Sequence, residues 1–312
     1  MTSHDVVGRI RRLTRQKRLG HTGTLDPAAS GVLPVAIGRA TRTVSSRTWD
    51  TKLYWADVAF GSATDTDDAE GVVILTGSTD HLQLDDIERV LARFVGPIDQ
   101  RPPAYSAVHV GGQRGYQAAR KGLVTEMPLR RVRVDAIEVA VWRPPLLSLR
   151  IQCGSGTYIR SIARDLGEAM DSRAHMASLV RLRVGPFGIA DAIDLGQFDE
   201  LVARAEWQAA LWPVDVAALD APGIVASPSR SLDFVYGRRW QSRWSDVAGP
   251  TDVSGSGDSN RPERNSSAGF FASRVYAPSG ELLGFAHKIE GDLWQPVLGL
   301  VSGADPSRDD ED

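Results

Sequence analysis

The stretch Gly20-His21-Thr22-Gly23-Thr24-Leu25-Asp26-Pro27-Ala28-Ala29-Ser30-Gly31 gathers residues suited to chemistry in one short loop. Two glycines around His-Thr, then Asp-Pro, describe a tight turn holding one carboxylate in a fixed place. Glycines beside it let a substrate approach with little side-chain obstruction. The same residues also fit Asp26 as the cap of a short helix whose first residue is Pro27, and the two readings are not exclusive. A second glycine cluster, Gly154-Ser155-Gly156-Thr157-Tyr158-Ile159, is similar to the opening of a dinucleotide-binding turn. Ile159 occupies the third glycine position, and the preceding strands read as a hairpin, so a nucleotide site is not expected. A third segment, Arg101 to Gly112, leads into Arg114, Tyr116, Arg120 and Lys121. Cations interleaved with tyrosines suit RNA, because rings stack on bases while charges meet phosphates. A surface loop followed by an ordinary helix fits the same residues.

Other chemistries lack their residues. The six histidines show no HExxH or other close ligand pair, and the single Cys153 excludes an internal disulfide framework or a Cys-rich zinc site. No Walker sequence and no G-x-S-x-G elbow is present.

The elements that must position these residues follow from periodicity. Val6, Val7, Ile10 and Leu13 recur at helical spacing, with Arg9, Arg11, Arg12 and Arg15 mostly off that stripe. A basic helix over 6–17, capped by Thr2 or Ser3, is expected. Residues 53–60 and 72–75 read as strands around an acidic turn. Ile87, Val90, Leu91 and Phe94 mark a helix stopping before Gly96-Pro97. Residues 130–142 and 146–153 form a hairpin. Ile159, Ile162, Ala163 and Leu166 mark a further helix, with Arg160 and Arg164 one turn apart on another face. A helix near 196–210 precedes a β-rich region. Residues 249–269 carry almost no apolar side chains and read as a disordered insertion.

With 312 residues, about two domains are expected. No stretch approaches the roughly 18 apolar residues of a membrane span, and no secretory signal is readable, so a cytoplasmic protein is expected. The net charge of −3 hides an asymmetry: residues 1–50 and 101–150 are each net +6, residues 51–100 net −7. Two basic segments in an acidic chain fit a local polyanion-binding face, and also ordinary solvated charge.

The loop from Gly20 to Pro27 resembles the catalytic motif of the TruB-type pseudouridine synthases, which isomerise uridine-55 in the T loop of transfer RNA. Lys52-Leu53-Tyr54 is similar to the family's tyrosine-bearing strand, Thr64 to Gly71 to its acidic turn, and Pro102 to Ala107 to another family segment. Gly156-Thr157-Tyr158-Ile159-Arg160 is similar to its arginine motif, and Ala174-His175 through Leu182 to the segment after it. The ordered matches span roughly residues 1–195.

The resemblance implies an α+β fold: a mixed, largely antiparallel sheet flanked by helices, followed by a small C-terminal β-rich PUA-like domain. The expected division is a catalytic domain at 1–215, a PUA-like RNA-binding domain at 216–303 enclosing the insertion, and an acidic tail at 304–312. Members carry a strand ending in Lys-Pro-x-Gly before the Thr-Ser that is Thr2-Ser3 here; that strand is expected to be missing from this sequence, because either the true start lies upstream or the sheet lacks the element. By resemblance Asp26 is the nucleophile, or stabilises a glycal, acting on a flipped-out uridine. Arg160 pairs with Asp26 and keeps it aimed. Tyr54 stacks on the uracil, with its hydroxyl as a candidate proton acceptor that needs activation. His21 holds the flipped-out loop conformation, and Tyr158 and Leu179 wall the uracil pocket. Arg11, Arg15, Arg114 and Arg120 are the expected RNA contacts, and the partner is the T arm of transfer RNA. No metal or organic cofactor is required by a redox-neutral isomerisation. No obligate protein partner is expected, and the chain is expected to be a monomer. The competing class is an RNA-folding chaperone or RNA-binding protein on the same scaffold.

Overall fold

Lys52, Tyr54, Ala56, Val58 and Phe60 are buried and the residues between them only half-buried, the alternation of a strand with one face on a core. The computed structural model describes residues 1–44, 51–106, 109–110, 113–114, 127–218, 221–241, 247–248, 273–290 and 293–301. The expected insertion at 249–269, the tail at 304–312 and Arg120 lie outside the described residues.

In chain order the elements begin with α1 (Ser3–Thr14), β1 (Leu19–His21), β2 (Ser30–Gly31), β3 (Val35–Ile37), β4 (Lys52–Phe60), β5 (Ser62–Thr64) and β6 (Val73–Thr76). There follow α2 (Leu84–Leu91), β7 (Gly96–Gln100), β8 (His109–Val110), β9 (Gln113–Arg114), β10 (Arg130–Arg143) and β11 (Leu146–Cys153). Then come α3 (Ile159–Ala169), β12 (Ala174–Val184), β13 (Phe187–Gly188), α4 (Leu195–Ala203), β14 (Gly223–Val225) and α5 (Pro228–Val235). The series closes with β15 (Trp240–Gln241), β16 (Val247–Ala248), β17 (Ser273–Tyr276), β18 (Leu282–Glu290) and β19 (Leu293–Gly299).

By contact the chain forms two units. The first comprises Met1–Val6, Gly23–Pro34 and Asp50–Ala192. Its sheet runs β13-β12-β4-β11-β10-β7, antiparallel throughout, and β2 joins β12 in parallel. Ile87 and Leu91 of α2 and Ile159, Ile162, Ala163 and Leu166 of α3 share one buried cluster with Tyr54, Ala56, Val58 and Phe60. This is the expected α+β arrangement.

The second unit comprises Val7–Thr22, Val35–Trp49 and Ile193–Asp312. Its six-stranded sheet runs β15-β19-β18-β17-β14-β16, with only β14 and β17 parallel. Ile224, Phe234, Trp240, Val275 and Trp294 form its core. Arg39 and Arg42 donate to the carbonyls of Leu300 and Gly299 (3.0 and 2.7 Å).

Several expectations are corrected. The basic helix stops at Thr14, whose hydroxyl donates to the Ile10 carbonyl (2.8 Å), and Arg15 turns left-handed (φ 56°), off the helix. The helix start is as expected, since Thr2 Oγ1 accepts from Asp5 N (3.2 Å) and Asp5 accepts from Thr2 N (2.8 Å). No helix follows Asp26. Its carbonyl instead accepts from Ala29 N (2.9 Å), closing a turn with Pro27 at the first corner. Gly96-Pro97 does end a helical stretch, but it also opens β7, an edge strand where a proline is tolerated.

Candidate active site

Asp26 is carried on the loop between β1 and β2 and is fixed from three sides. Leu25 N donates to Ser3 Oγ (2.9 Å) at the start of α1. Gly31 in β2 lies so close to β12 that a Cβ would sit 2.2 Å from the Arg181 carbonyl oxygen, and its φ of +106° also favours glycine. Val32 N donates to that same carbonyl (2.8 Å). Arg181 itself, 1% exposed, turns its guanidinium back into the loop. Nε donates to Val32 O (2.8 Å), Nη2 to Gly23 O (3.1 Å) and Nη1 to Thr24 O (3.5 Å). A buried charge needs such partners, and here they are backbone carbonyls of the loop to be held.

Arg160, in the first turn of α3 and 5% exposed, meets the carboxylate. Nη2 donates to Asp26 Oδ1 (3.0 Å), and Nε lies 2.9 Å from Oδ2 as an ion contact whose N–H is not aimed along the line. The same guanidinium reaches Thr66 O (3.0 Å), Tyr105 O (3.2 Å) and Asp68 Oδ2 (3.3 Å). The acidic turn is therefore a socket for the arginine. Asp68 is shaped for it by the Thr66 hydroxyl (2.6 Å) and Glu70 N (3.1 Å), both donating to Oδ1. Asp26 keeps 32% of its side-chain surface open, so the aimed carboxylate is reachable from outside the protein.

Tyr54 on β4 stands opposite Arg181 on β12 and is 8% exposed. Burial pushes its phenol up to about 12, with Cys153 and Asp26 adding and the Arg181 guanidinium opposing. It is thus held as a neutral O–H, not as a base. Tyr158 precedes α3, pinned by Gln100, which accepts from its N (2.8 Å) and donates to its O (3.0 Å). Burial raises its phenol pKa too, the Ser106 hydroxyl lowering it and Asp26 raising it. Leu179 is buried on β12 opposite Ala56. His21 ends β1 opposite Val35, in the second unit. Arg11 is exposed on α1 and Arg15 exposed beyond it. Arg114 lies in β9, its side chain outside the described residues.

Asp26, Arg160 and Tyr54 belong to one unit, and the first two are in contact. Arg181, Asp68 and Lys52 had no role from the sequence. Lys52 is buried and donates to Ser155 Oγ (2.7 Å). Arg181 was detectable in principle, since period-two alternation from Leu179 turns it inward. Among the described residues no group of three or more His, Cys, Asp or Glu could hold a metal ion.

Known proteins resemble this chain in sequence and fold. A family model described as "TruB family pseudouridylate synthase (N terminal domain)" matches residues 11–159, and "tRNA pseudouridylate synthase B C-terminal domain" matches 160–218. A relative named "tRNA pseudouridine synthase B" from Symbiobacterium thermophilum is 43% identical over 76% of this chain and 78% of its own. The chain belongs to the TruB family of pseudouridylate synthases. A second TruB relative of the same name, from Xanthomonas axonopodis pv. citri, is 42% identical over 80% of each chain. Among solved structures, a Cbf5-Nop10-Gar1 complex matches with a TM-score of 0.68 at 24% identity, over 97% of this chain and 82% of that one. An H/ACA RNP bound to a substrate RNA containing 2'-deoxyuridine gives 0.66 at 24% identity, over 96% and 82%. These likenesses establish the fold, including a C-terminal PUA-like part.

Proposed function

We propose that this TruB-family enzyme isomerises uridine-55 in the T loop of transfer RNA, with Asp26 as nucleophile on a flipped-out uridine. The observation that carries the reading is the Asp26–Arg160 pair: a carboxylate open on one side and held on the other by a buried guanidinium. The names of its relatives supply the RNA class. In the reaction the C1′–N1 bond breaks, the uracil turns, and C5 bonds to C1′. The C5 proton leaves and N1 regains one. Asp26 attacks C1′ and is displaced when C5 bonds there, or it steadies a glycal whose C2′ proton leaves on cleavage and returns as C5 bonds to C1′, and a preoriented anion pays no reorganisation cost at that moment. Tyr54 stacks on the base and offers a hydroxyl donor. A proton-acceptor role for it would require its environment to change when the base enters. Tyr158 and Leu179 wall the pocket and His21 supports the open loop. Arg11, Arg15, Arg114 and Arg120 meet T-arm phosphates. Residues 1–215 are the catalytic domain in this reading and 216–303 the RNA-binding module of a monomer.

Tritium release from a transfer RNA transcript labelled at uridine C5 tests it, with wild type and Asp26→Asn side by side. Release by wild type alone, abolished when uridine-55 is replaced by cytidine, is expected. Release that survives the cytidine replacement would overturn the site, and full activity of Asp26→Asn would overturn the mechanism.

A further inference from the structure

α3 carries a second arginine one turn beyond Arg160, and every arm of it is engaged. Arg164 Nη1 donates to Asp67 Oδ2 (2.7 Å), Nη2 donates to Arg101 O (2.9 Å), and Nε donates to Asp165 Oδ1 (2.8 Å). Its side chain is 18% exposed and that of Asp67 12%. These bonds take three of its five N–H donors, one from each nitrogen, and turn the guanidinium into the protein.

Its partners lie in the two segments that hold Arg160. Arg160 takes Thr66 O and Asp68 from the acidic turn, and Tyr105 O from the segment 101–106. Arg164 takes Asp67 from that turn and Arg101 O from that segment. Ser161, between the two arginines, adds a third tie by donating to Arg101 O (2.8 Å). The turn is left-handed where Arg164 grips it: Asp67 has φ 61°, a conformation that among non-glycine residues Asp and Asn favour. Its main chain is also fastened to β12, since Met176 N donates to Asp67 O (3.0 Å) and Ala69 N to Met176 O (3.0 Å).

We propose that Arg164 and Asp67 are positioning residues for the isomerisation, an outer clamp that keeps the acidic turn and the 101–106 segment on α3 so that Arg160 presents Asp26 in one orientation. The proposal rests on the reading of Asp26 and Arg160 as the reacting pair. Arg164 touches no reacting atom. It acts by fixing the acceptors that leave Arg160 a single pose, and an error of about 1 Å in such a pose can cost on the order of 100-fold in rate.

The test is single-turnover tritium release from C5-labelled transfer RNA by wild type, Asp67→Asn, Arg164→Gln and Arg164→Lys, well below each protein's Tm. Asp67→Asn and Arg164→Gln are expected to slow the chemical step about 10- to 100-fold, with the RNA concentration for half-maximal rate within about twofold of wild type. Arg164→Lys, keeping the charge but losing the fork, falls between. The double variant is no slower than the worse single one, because both remove the same clamp. A lowered Tm with wild-type rate would make the pair merely structural and overturn the proposal. A raised half-saturation with unchanged rate would make Arg164 an RNA contact and overturn it equally. Should Arg164→Gln fail to fold, the isosteric Asp67→Asn decides alone. A wild-type protein that releases no tritium would instead sink the functional reading, a distinct outcome.

Discussion

On the first unit's sheet, β4 and β12 carry Lys52 and Arg181 at buried positions, and α3 adds Arg160. On the C-terminal sheet the buried positions hold Val275, Phe285, Ala286 and Trp294, with Ser273 the one polar residue among those described. Both sheets close an apolar core, so burial alone does not separate them. The difference is that each buried charge of the first sheet is spent on holding a loop or a carboxylate, at a desolvation cost that the apolar sheet avoids. Buried cations with hydroxyl, carbonyl and carboxylate partners mark the sheet on which the proposed chemistry is aimed.

The sharpest way to break this contrast is Asp26→Asn. Loss of the proposed nucleophile is expected to cut tritium release by at least about a thousandfold while circular dichroism stays native. A residual rate above a tenth of wild type would remove the reason for the buried charges around it. The next test pairs one substitution from each sheet. Phe285→Ala should cost roughly 3–5 kcal/mol of unfolding free energy in urea and leave the rate of the folded fraction unaltered. Arg181→Leu should cost about 3 kcal/mol and also slow the chemical step, because the Asp26 loop loses three carbonyl ties. Equal rate effects from the two would collapse the distinction.

A subtler effect lies in alkali. Tyr54 is raised from 10.0 to about 12, so between those values the unfolded chain ionises it and the folded protein does not. Stability present below pH 10 is therefore lost as pH rises through the folded value, by about 3 kcal/mol in all. Cys153, which burial also pushes to about 12, adds to the loss from pH 9 upward. Tyr54→Phe should flatten the pH 10–12 part of the urea-midpoint curve, and a tyrosinate absorbance step near 12 should vanish with it. The smallest effect belongs to the open face of the same strand. Asp57 is pushed up by burial but pulled further down by donors from Ser178 (2.6 Å), Ser148 (2.7 Å) and Trp55 (3.1 Å), ending below its ordinary value. Its contribution is present above pH 3.8 and fades as pH falls through the depressed value. Being only half-buried and so screened by solvent, it should be worth under about 1 kcal/mol, read as a small shift in the acid midpoint of Asp57→Asn.

Much of this arrangement is written locally in the chain. Period-two alternation marks β4, the 130–153 hairpin announces β10 and β11, and the stripes of α2 and α3 are plain. Asp26 and Arg160 come from motif resemblance, and they meet across 134 positions of sequence. β12 is hidden because two bulges, after Met176 and after Arg181, break its alternation just where Ser178 and Arg183 interrupt the apolar run. Arg181 carries no motif signal of its own. Only the carbonyls of Gly23, Thr24 and Val32, brought from far upstream, explain a cation inside a sheet. The helix start at Asp26 failed for the opposite reason: local capping preference was overruled by the turn that β2 needs to reach β12.

Gly31 gives this architecture a requirement with no functional group in it. In a library varying every position of the Asp26 loop, column 26 would be intolerant because the proposed reaction needs its oxygen atoms. Column 31 would be just as intolerant because the protein needs an empty space there, one hydrogen wide, against the backbone of Arg181. Activity screens would score the two alike, and only a measurement of folded yield beside each rate would tell the missing atom from the indispensable one.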